Sequence, residues 1–229
     1  MADPSSSDIV PAGPFASWLS RTHAMLRGTV GSDVPCGDCT GCCTSSYSVQ
    51  LRPEDGRALA VIPAALLISP VGFPAGHRTM PALADGTCPM LGAGKCSIYR
   101  DRPQTCHDYD CRIFAAAGID AGEAGKGVIN RRVRQWRFSY PGEEDRRTHA
   151  AVMAAAAFTQ RSRDSFPVRV PTSPMGIAVF ALKTYTVFLA PRPAESSDRE
   201  IARDMLLASR QFDANEAYDR AIPGSPGSA

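Results

Sequence analysis

The sequence predicts an α+β protein in which an irregular, cysteine-rich region with short strands is followed by a mostly α-helical C-terminal half. Three observations support this fold class. All eight cysteines lie between positions 36 and 111. Residues 63–87 are rich in proline and glycine, which keeps regular structure short. Beyond residue 127, apolar residues recur instead at the three- and four-residue spacing of helices.

Composition divides the 229 residues into four parts. The two ends, 1–13 and 221–229, are rich in proline, glycine, serine and alanine and are predicted to be disordered. Residues 14–117 form the predicted cysteine-cluster region, and residues 128–220 form a helical region packed on it. Gly118–Gly127 is the expected flexible link. The net charge of +2 gives little reason to expect a nucleic-acid partner.

Short elements are predicted before the link. Phe15, Trp18 and Leu19 begin an apolar stripe that predicts a helix over 14–27, beside the cysteine cluster. The other candidates are a strand at Ser46–Leu51, a helix from Pro53 to Ile62 and a strand near Met80–Leu83.

Four longer elements are predicted after the link. Ile129, Val133, Trp136 and Tyr140 are spaced like one face of a helix. Three further segments favour helices: Glu143–Arg161, Pro174–Leu189 and Ser197–Tyr218. Within the second, Tyr185–Phe188 is also compatible with a strand. Ser197 and Glu200 have the spacing of a capping box.

The first four cysteines read Cys36-x-x-Cys39-x-x-Cys42-Cys43. Two cysteines separated by two residues can direct both sulfurs at one ion from a tight turn, and Gly37 and Gly41 suit such a turn. This spacing fits zinc, which takes four sulfurs, and also resembles the runs that bind iron–sulfur clusters. Because adjacent side chains diverge, Cys42 and Cys43 either serve two different metals or one of them is spare.

The later cysteines extend the set. Cys88 and Cys96 flank a Gly-rich turn and predict a short hairpin with a cysteine on each arm. Pro103 is expected to open a turn or helix that carries Cys106, and Cys111 follows five residues later.

Disulfides are the main alternative to metal for clustered cysteines, and they need an oxidising compartment. The segment after Met1 has no basic leader with an apolar core, and no apolar stretch approaches the length of a spanning helix. We therefore expect a cytoplasmic protein with reduced thiols and no membrane contact, for which metal is the leading interpretation.

Several neighbours of the cysteines are candidate supporting residues. His107 is expected beside the site or on the surface, although it could act as a ninth ligand, and Asp108 and Asp110 are expected to be solvated turn acids. Ile98 and Tyr99 are predicted to pack beneath the site. Arg102 is expected to donate to a thiolate or a carbonyl, or to form a surface ion pair.

The motif Cys36-x-x-Cys39-x-x-Cys42-Cys43, followed by Cys88-Pro, Cys96-Ser-Ile-Tyr, Arg102-Pro-x-x-Cys106 and Cys111, resembles the bacterial CxxCxxCC cysteine-cluster family, often called YkgJ-type. Its members are described as zinc- or iron-chelating proteins. The resemblance covers about residues 36–112 and implies metal binding. The same pattern occurs in flagellin lysine methylases, but this chain shows no recognisable methyl-donor site.

The sequence thus predicts a metal-binding protein that holds zinc or an iron–sulfur cluster through thiolates. Metal ions are the expected partners, and a protein partner is not indicated. An iron–sulfur-dependent enzyme or accessory factor, acting in electron transfer or protein modification, is the alternative, and a thiol redox protein is a weaker one. The predicted ligands are Cys36, Cys39, Cys42, Cys43, Cys88, Cys96, Cys106 and Cys111.

Overall fold

The computed structural model describes residues 9–28, 31, 32, 34, 36–189 and 196–221, with side chains described as far as Ala214. Helices and short strands in three two-stranded sheets give the α+β class that the sequence predicts. The predicted disordered segments 1–8 and 222–229 lie outside the described residues. Residues 10–13, also predicted to be disordered, instead belong to a strand.

The chain divides into two compact units. The cysteine unit comprises residues 31–110 and 122–132, and the helical unit comprises residues 1–30, 111–121 and 133–229. The segment 14–117, predicted as one region, contributes to both units.

The helical unit begins with strand β1, Val10–Pro14, which pairs in parallel with β6, Trp136–Ser139. Helix α1, Phe15–Leu26, follows directly and matches the predicted helix within a residue at each end. Its buried side chains include Phe15 and Trp18, which pack against Phe138 of β6. Helix α1 also packs against the long helix of its own unit described next.

The described residues of the helical unit form four more helices: α4, Arg112–Ala117; α6, Glu143–Arg161; α7, Pro174–Thr184; and α8, Asp198–Ala221. Helix α6 packs against α1, α4 and α7, and α7 packs against α8. Ala155 and Ala156 of α6 and Ala181 of α7 have no exposed surface, and small side chains at such positions let helices approach closely. Larger side chains, led by Phe158 and Leu182, fill the rest of this core.

The structure corrects two of the helix predictions. Helix α5 spans Gly127–Gln135, but Trp136 begins strand β6, in which buried and exposed side chains alternate. The predicted stripe from Ile129 to Tyr140 therefore joins a helix to a strand. Residues Tyr185–Phe188, for which a strand was the alternative, form a 3₁₀ turn after α7.

The cysteine unit has a small apolar core. Strand β2, Val49–Leu51, pairs antiparallel with β3, Arg78–Met80, and α2, Gly56–Val61, lies between them in sequence. Val49, Leu51, Ala58, Ile62 and Met80 are the buried members of this core. Partly buried side chains such as Leu66 and Met90 pack against this core, which remains small.

Two further elements of the cysteine unit carry cysteines. Strands β4, Leu91–Gly92, and β5, Lys95–Cys96, form a hairpin as predicted. Cys96 lies on its second arm, but Cys88 precedes β4 and is not on the first arm as predicted. Helix α3, Gln104–Asp108, begins after Pro103, as predicted. Among the described residues, no helix combines the length and apolarity needed to cross a membrane.

Candidate metal centre

A tight turn carries the first two cysteines. The amide of Cys39 donates to the carbonyl of Cys36 at 3.0 Å, and Gly37 has the positive φ of 54° that this turn requires. The amide of Gly41 points at the Cys39 sulfur, 3.4 Å away. A backbone N–H in this position stabilises a thiolate.

The adjacent pair follows in a 3₁₀ turn, Cys42–Thr44. The two sulfurs lie 4.0 Å apart. A hydrogen bond from the Cys43 thiol lowers the pKa of Cys42 to about 7, and the same contact raises the pKa of Cys43. Cys42 is the one exposed cysteine of the eight, although burial of its sulfur still opposes ionisation.

The hairpin is fastened to Cys43 through the backbone. The amide of Cys88 donates to the carbonyl of Cys43 at 2.7 Å. The amide of Leu91 then donates to the carbonyl of Cys88, and Leu91 pairs with Cys96 across the hairpin. Burial raises the pKa of Cys88, and the neighbouring thiolates of Cys96 and Cys42 raise it further.

Helix α3 brings Cys106 to the same region. The Thr105 hydroxyl donates to the carbonyl of Gln50 in β2 at 2.8 Å. Cys106 and Cys88 both pack against the apolar core of the cysteine unit. Burial, followed by the thiolates of Cys42, Cys88 and Cys96, raises the pKa of Cys106 to about 12, so these sulfurs lie within electrostatic range of one another.

Cys111 belongs to the helical unit. It is the N-cap residue of α4 and is only 8% exposed. The indole N–H of Trp136 donates to its sulfur at 3.1 Å. Such a donor favours the ionised form of a thiol, and the role of Cys111 as a metal ligand stays a prediction.

Asp110 and Arg132 support Cys36. Asp110 is 5% exposed, not a solvated turn acid as predicted. Burial and the thiolates of Cys42 and Cys39, together with the Asp110 carboxylate, raise the pKa of Cys36 to about 11, while Arg132 opposes this effect. Arg132 also donates to the carbonyl of Cys36 at 2.8 Å, which places helix α5 against the turn.

The predictions for the other residues near the cysteines have different outcomes. Tyr99, predicted to pack beneath the site, is 53% exposed and lies under the Arg102 guanidinium. Arg102 donates to the carbonyl of Tyr99 at 2.6 Å, one of the alternatives that the sequence left open. Ile98 packs against the core of the unit, as predicted. His107 is half-buried in α3, and burial lowers its pKa.

The sequence does not predict one group of contacts that holds the segment after Cys43. Lys126 lies 3.5 Å from the centre of the Tyr47 ring, and the Tyr109 hydroxyl donates to that of Tyr47 at 3.0 Å. Lys126 also donates to the carbonyl of Ser45. These contacts fix the residues after Cys43, but an isolated lysine and two distant tyrosines carry no spacing signal.

The cysteines of the cysteine unit lie in the same region, but their sulfurs do not surround a common position for a metal ion. As the described side chains are placed, no three histidine, cysteine, aspartate or glutamate residues form a group that could hold a metal ion. The donors are nonetheless of the right chemistry, because soft thiolates suit zinc and iron–sulfur clusters.

One comparison with known proteins finds a similar domain in this region. No curated protein and no solved structure matches the chain. Residues 35–123 match the model of the CxxCxxCC family, described as "Putative zinc- or iron-chelating domain". That range holds all eight cysteines. Residues 35–123, less than half of the chain, are therefore similar to the zinc- or iron-chelating CxxCxxCC domain.

Proposed function

We propose that this chain is a metal-binding protein that holds zinc or iron, the latter as an iron–sulfur cluster, through cysteine thiolates. The observation that carries the proposal is the set of backbone and core contacts that draw Cys43, Cys88, Cys96 and Cys106 into one unit from segments distant in sequence. Seven of the eight predicted ligands belong to one compact unit, and Cys111 is the predicted eighth.

The energetics favour a bound cation. Burial raises the pKa values of Cys36, Cys88 and Cys106, and each nearby thiolate raises them again. Thiols that resist ionisation individually become thiolates when a metal ion replaces their protons. Arg102 adds positive charge near Cys42, and Arg132 adds it near Cys36.

Stability supports the same proposal. The core cluster around β2 and β3 has five buried apolar residues, and domains with small cores usually need a metal or disulfides. Because metal binds only the folded arrangement of ligands, its binding free energy becomes folding free energy.

The 4.0 Å separation of the Cys42 and Cys43 sulfurs favours a second candidate, a thiol redox protein. In that case these thiols react rapidly with an alkylating reagent in the native protein, and a chelator does not change the rate. Metal-held thiols react slowly until the chelator is added.

Metal content and colour test the proposal directly. The protein is purified from cells supplied with both metals, and its zinc and iron are measured by elemental analysis. A brown protein with broad visible absorption holds an iron–sulfur cluster, and a colourless one with bound zinc holds zinc. A native protein with neither metal would refute metal binding.

A variant of the turn localises the metal. Cys39→Ser removes one thiolate, so we expect less metal per chain and lower solubility. Asp38→Ser alters an exposed neighbour in the same turn and controls for local disturbance. A Cys39→Ser protein with full metal content contradicts the role assigned to Cys39.

A further inference from the structure

Asp55 is the N-cap residue of helix α2, but its side chain does not cap that helix. An aspartate at this position ordinarily accepts a hydrogen bond from an amide in the first turn of its own helix. The Asp55 carboxylate instead accepts from two backbone amides outside α2, those of Arg52 and Gln104. Its two oxygens therefore serve other parts of the cysteine unit.

The contact with Arg52 fixes the carboxylate. The Arg52 amide donates to Oδ2 of Asp55 at 2.8 Å, and the Asp55 amide donates to the Arg52 carbonyl at 3.0 Å. These reciprocal bonds close a tight turn just before α2, in which Asp55 is half-buried. The turn therefore sets the direction of the second carboxylate oxygen.

The contact with Gln104 reaches helix α3, which carries Cys106. The Gln104 amide donates to Oδ1 of Asp55 at 2.8 Å, although the two residues are 49 positions apart. Amides in the first turn of a helix have no partner within the helix. The N-cap residue of α3 is Pro103, and no side-chain cap comes from it. Asp55 therefore supplies the acceptor that a proline side chain cannot.

Thr105 adds a second contact between α3 and the same part of the unit. Its hydroxyl donates to the carbonyl of Gln50 in β2 at 2.8 Å. The two residues before Cys106 are thus bonded to the segment that contains β2 and α2, one through its amide and the other through its side chain. Cys106 follows directly and packs against the apolar core to which Leu51 and Ala58 of that segment belong.

Resting on the metal binding proposed above, we propose that Asp55 is a positioning residue of the metal centre, which holds the start of α3 and thereby keeps Cys106 in place to bind metal. Asp55 acts through α3 and is not itself assigned as a ligand. A carboxylate accepts a backbone N–H bond more strongly than a neutral oxygen does. Groups that orient metal ligands typically contribute about 10- to 100-fold in metal affinity.

Three variants separate this role from the capping of α2. Asp55→Ser keeps a side chain that can cap α2, but its single, shorter hydroxyl cannot accept from both Arg52 and Gln104. Asp55→Asn keeps the length of the side chain and one accepting oxygen. Glu54→Ala removes the exposed acid beside Asp55 and controls for the loss of a negative charge.

Affinity for Zn²⁺ is the first readout, measured on the reduced full-length chain by competition with a chromogenic chelator. We expect Asp55→Ser to bind Zn²⁺ about ten-fold more weakly than the wild type, or weaker still. Asp55→Asn should lie between the two, and Glu54→Ala should equal the wild type. Unchanged affinity in Asp55→Ser overturns the proposal. An equal loss in Glu54→Ala also overturns it, because charge alone would then explain the effect.

The reactivity of Cys106 is a second readout that needs no metal. Alkylation of each cysteine by iodoacetamide is followed in the reduced, metal-free protein by peptide mass spectrometry. We expect Asp55→Ser to raise the rate at Cys106 by about ten-fold, the effect of losing a hydrogen bond to a charged group. Cys88 is the internal control, because it packs against the same core without belonging to α3. Equal increases at the two cysteines would show a general loosening of the unit and contradict a role specific to α3.

The two readouts distinguish this proposal from the proposed function. A wild-type protein that binds neither zinc nor iron refutes metal binding, and the alkylation rates still decide whether Asp55 holds Cys106 in place. If the wild type binds metal while Asp55→Ser is unchanged in both affinity and Cys106 reactivity, only the positioning role is refuted.

Discussion

At the scale of single residues, burial and neighbouring thiolates oppose the ionisation of several thiols in the cysteine unit. Burial is the largest cause of the raised pKa of Cys36, Cys88 and Cys106, and neighbouring thiolates add to it. A bound cation removes both costs, because it replaces the protons and neutralises the repulsion. Cys36, Cys88 and Cys106 therefore keep their protons at neutral pH until a metal ion displaces them.

In the helical unit, burial favours the uncharged form of one histidine. The His149 ring stacks on Phe15, with ring centres 4.4 Å apart, and its Nδ1 atom lies 2.7 Å from the Tyr140 hydroxyl. Burial lowers the pKa of His149 below its usual value of 6.5. The neutral ring is thus the form that the folded unit holds.

The lowered pKa of His149 predicts pH-dependent stability. The unfolded chain takes up a proton near pH 6.5 while the folded chain resists it, so the stabilisation is complete above pH 6.5. It is lost as the pH falls below 6.5, until the folded pKa is reached, by at most about 1.4 kcal/mol per pH unit for one proton. Urea unfolding followed by tryptophan fluorescence measures it, because Trp18 and Trp136 are both buried in the helical unit.

The matched variant for this prediction is His149→Phe. It keeps an aromatic ring but cannot be protonated, so its unfolding free energy should fall less between pH 7 and pH 5.5 than that of the wild type. Equal slopes in the two proteins contradict the prediction.

The sequence identifies residues by chemistry more readily than by burial. The cysteines and the placement of Ile98 follow from motif and hydrophobicity. Asp110 was predicted to be solvated and is buried, while Tyr99 was predicted to be buried and is exposed. Both lie in irregular backbone, where no period links position in sequence to direction of the side chain.

At the scale of elements, strong local signals give the boundaries. Helix α6 begins at Glu143 and ends at Arg161, as predicted, because its alanine content and first-turn acids act locally. Helix α8 follows the predicted capping box, in which Glu200 accepts from the Ser197 amide and hydroxyl. The change from α5 to β6 at Trp136 was not predictable in this way, since β6 forms by pairing with β1, which is more than 100 residues away.

Helix α7 offers a test of one local signal. The Ser173 hydroxyl accepts from the Gly176 amide at 3.2 Å, and Pro174 occupies the first turn. Ser173→Ala leaves that amide without its cap, so we expect a loss of about 1 kcal/mol in unfolding free energy. Urea unfolding of the helical unit, read by tryptophan fluorescence, measures it.

Ser173→Asp is the control for this capping prediction. Its carboxylate can accept from the same amide, and its charge favours the helix N-terminus, so stability should be retained. If Ala and Asp at this position are equally destabilising, the hydrogen bond is not what stabilises the start of α7.

At the scale of the whole molecule, the chain is not divided where its composition changes. Residues 111–121 join the helical unit, and residues 122–132 return to the cysteine unit. Gly118, with φ of +67°, ends α4 and permits the turn before this return. Because residues 122–132 belong to the cysteine unit, Arg132 contacts the Cys36 carbonyl and Lys126 contacts the Tyr47 ring. Contacts between residues so far apart in sequence cannot be predicted from the spacing of nearby residues.

The two units differ in what stabilises them. The helical unit buries large side chains such as Phe158, Leu182 and Met205 completely. The cysteine unit combines its small core with seven thiols. Apolar burial is independent of metal, but ligand binding stabilises only the state that binds. A chelator should therefore act on the two units unequally.

Hydrogen exchange with and without a chelator measures this difference. When metal is removed under reducing conditions, we expect amides of β2 and β3 to lose protection by at least ten-fold, because their unit opens more often. Amides of α6 and α7 should keep theirs, and they serve as the internal control. Equal loss in both units would indicate that metal stabilises the chain as one cooperative body, and no loss in β2 and β3 would show that the five-residue core folds without metal.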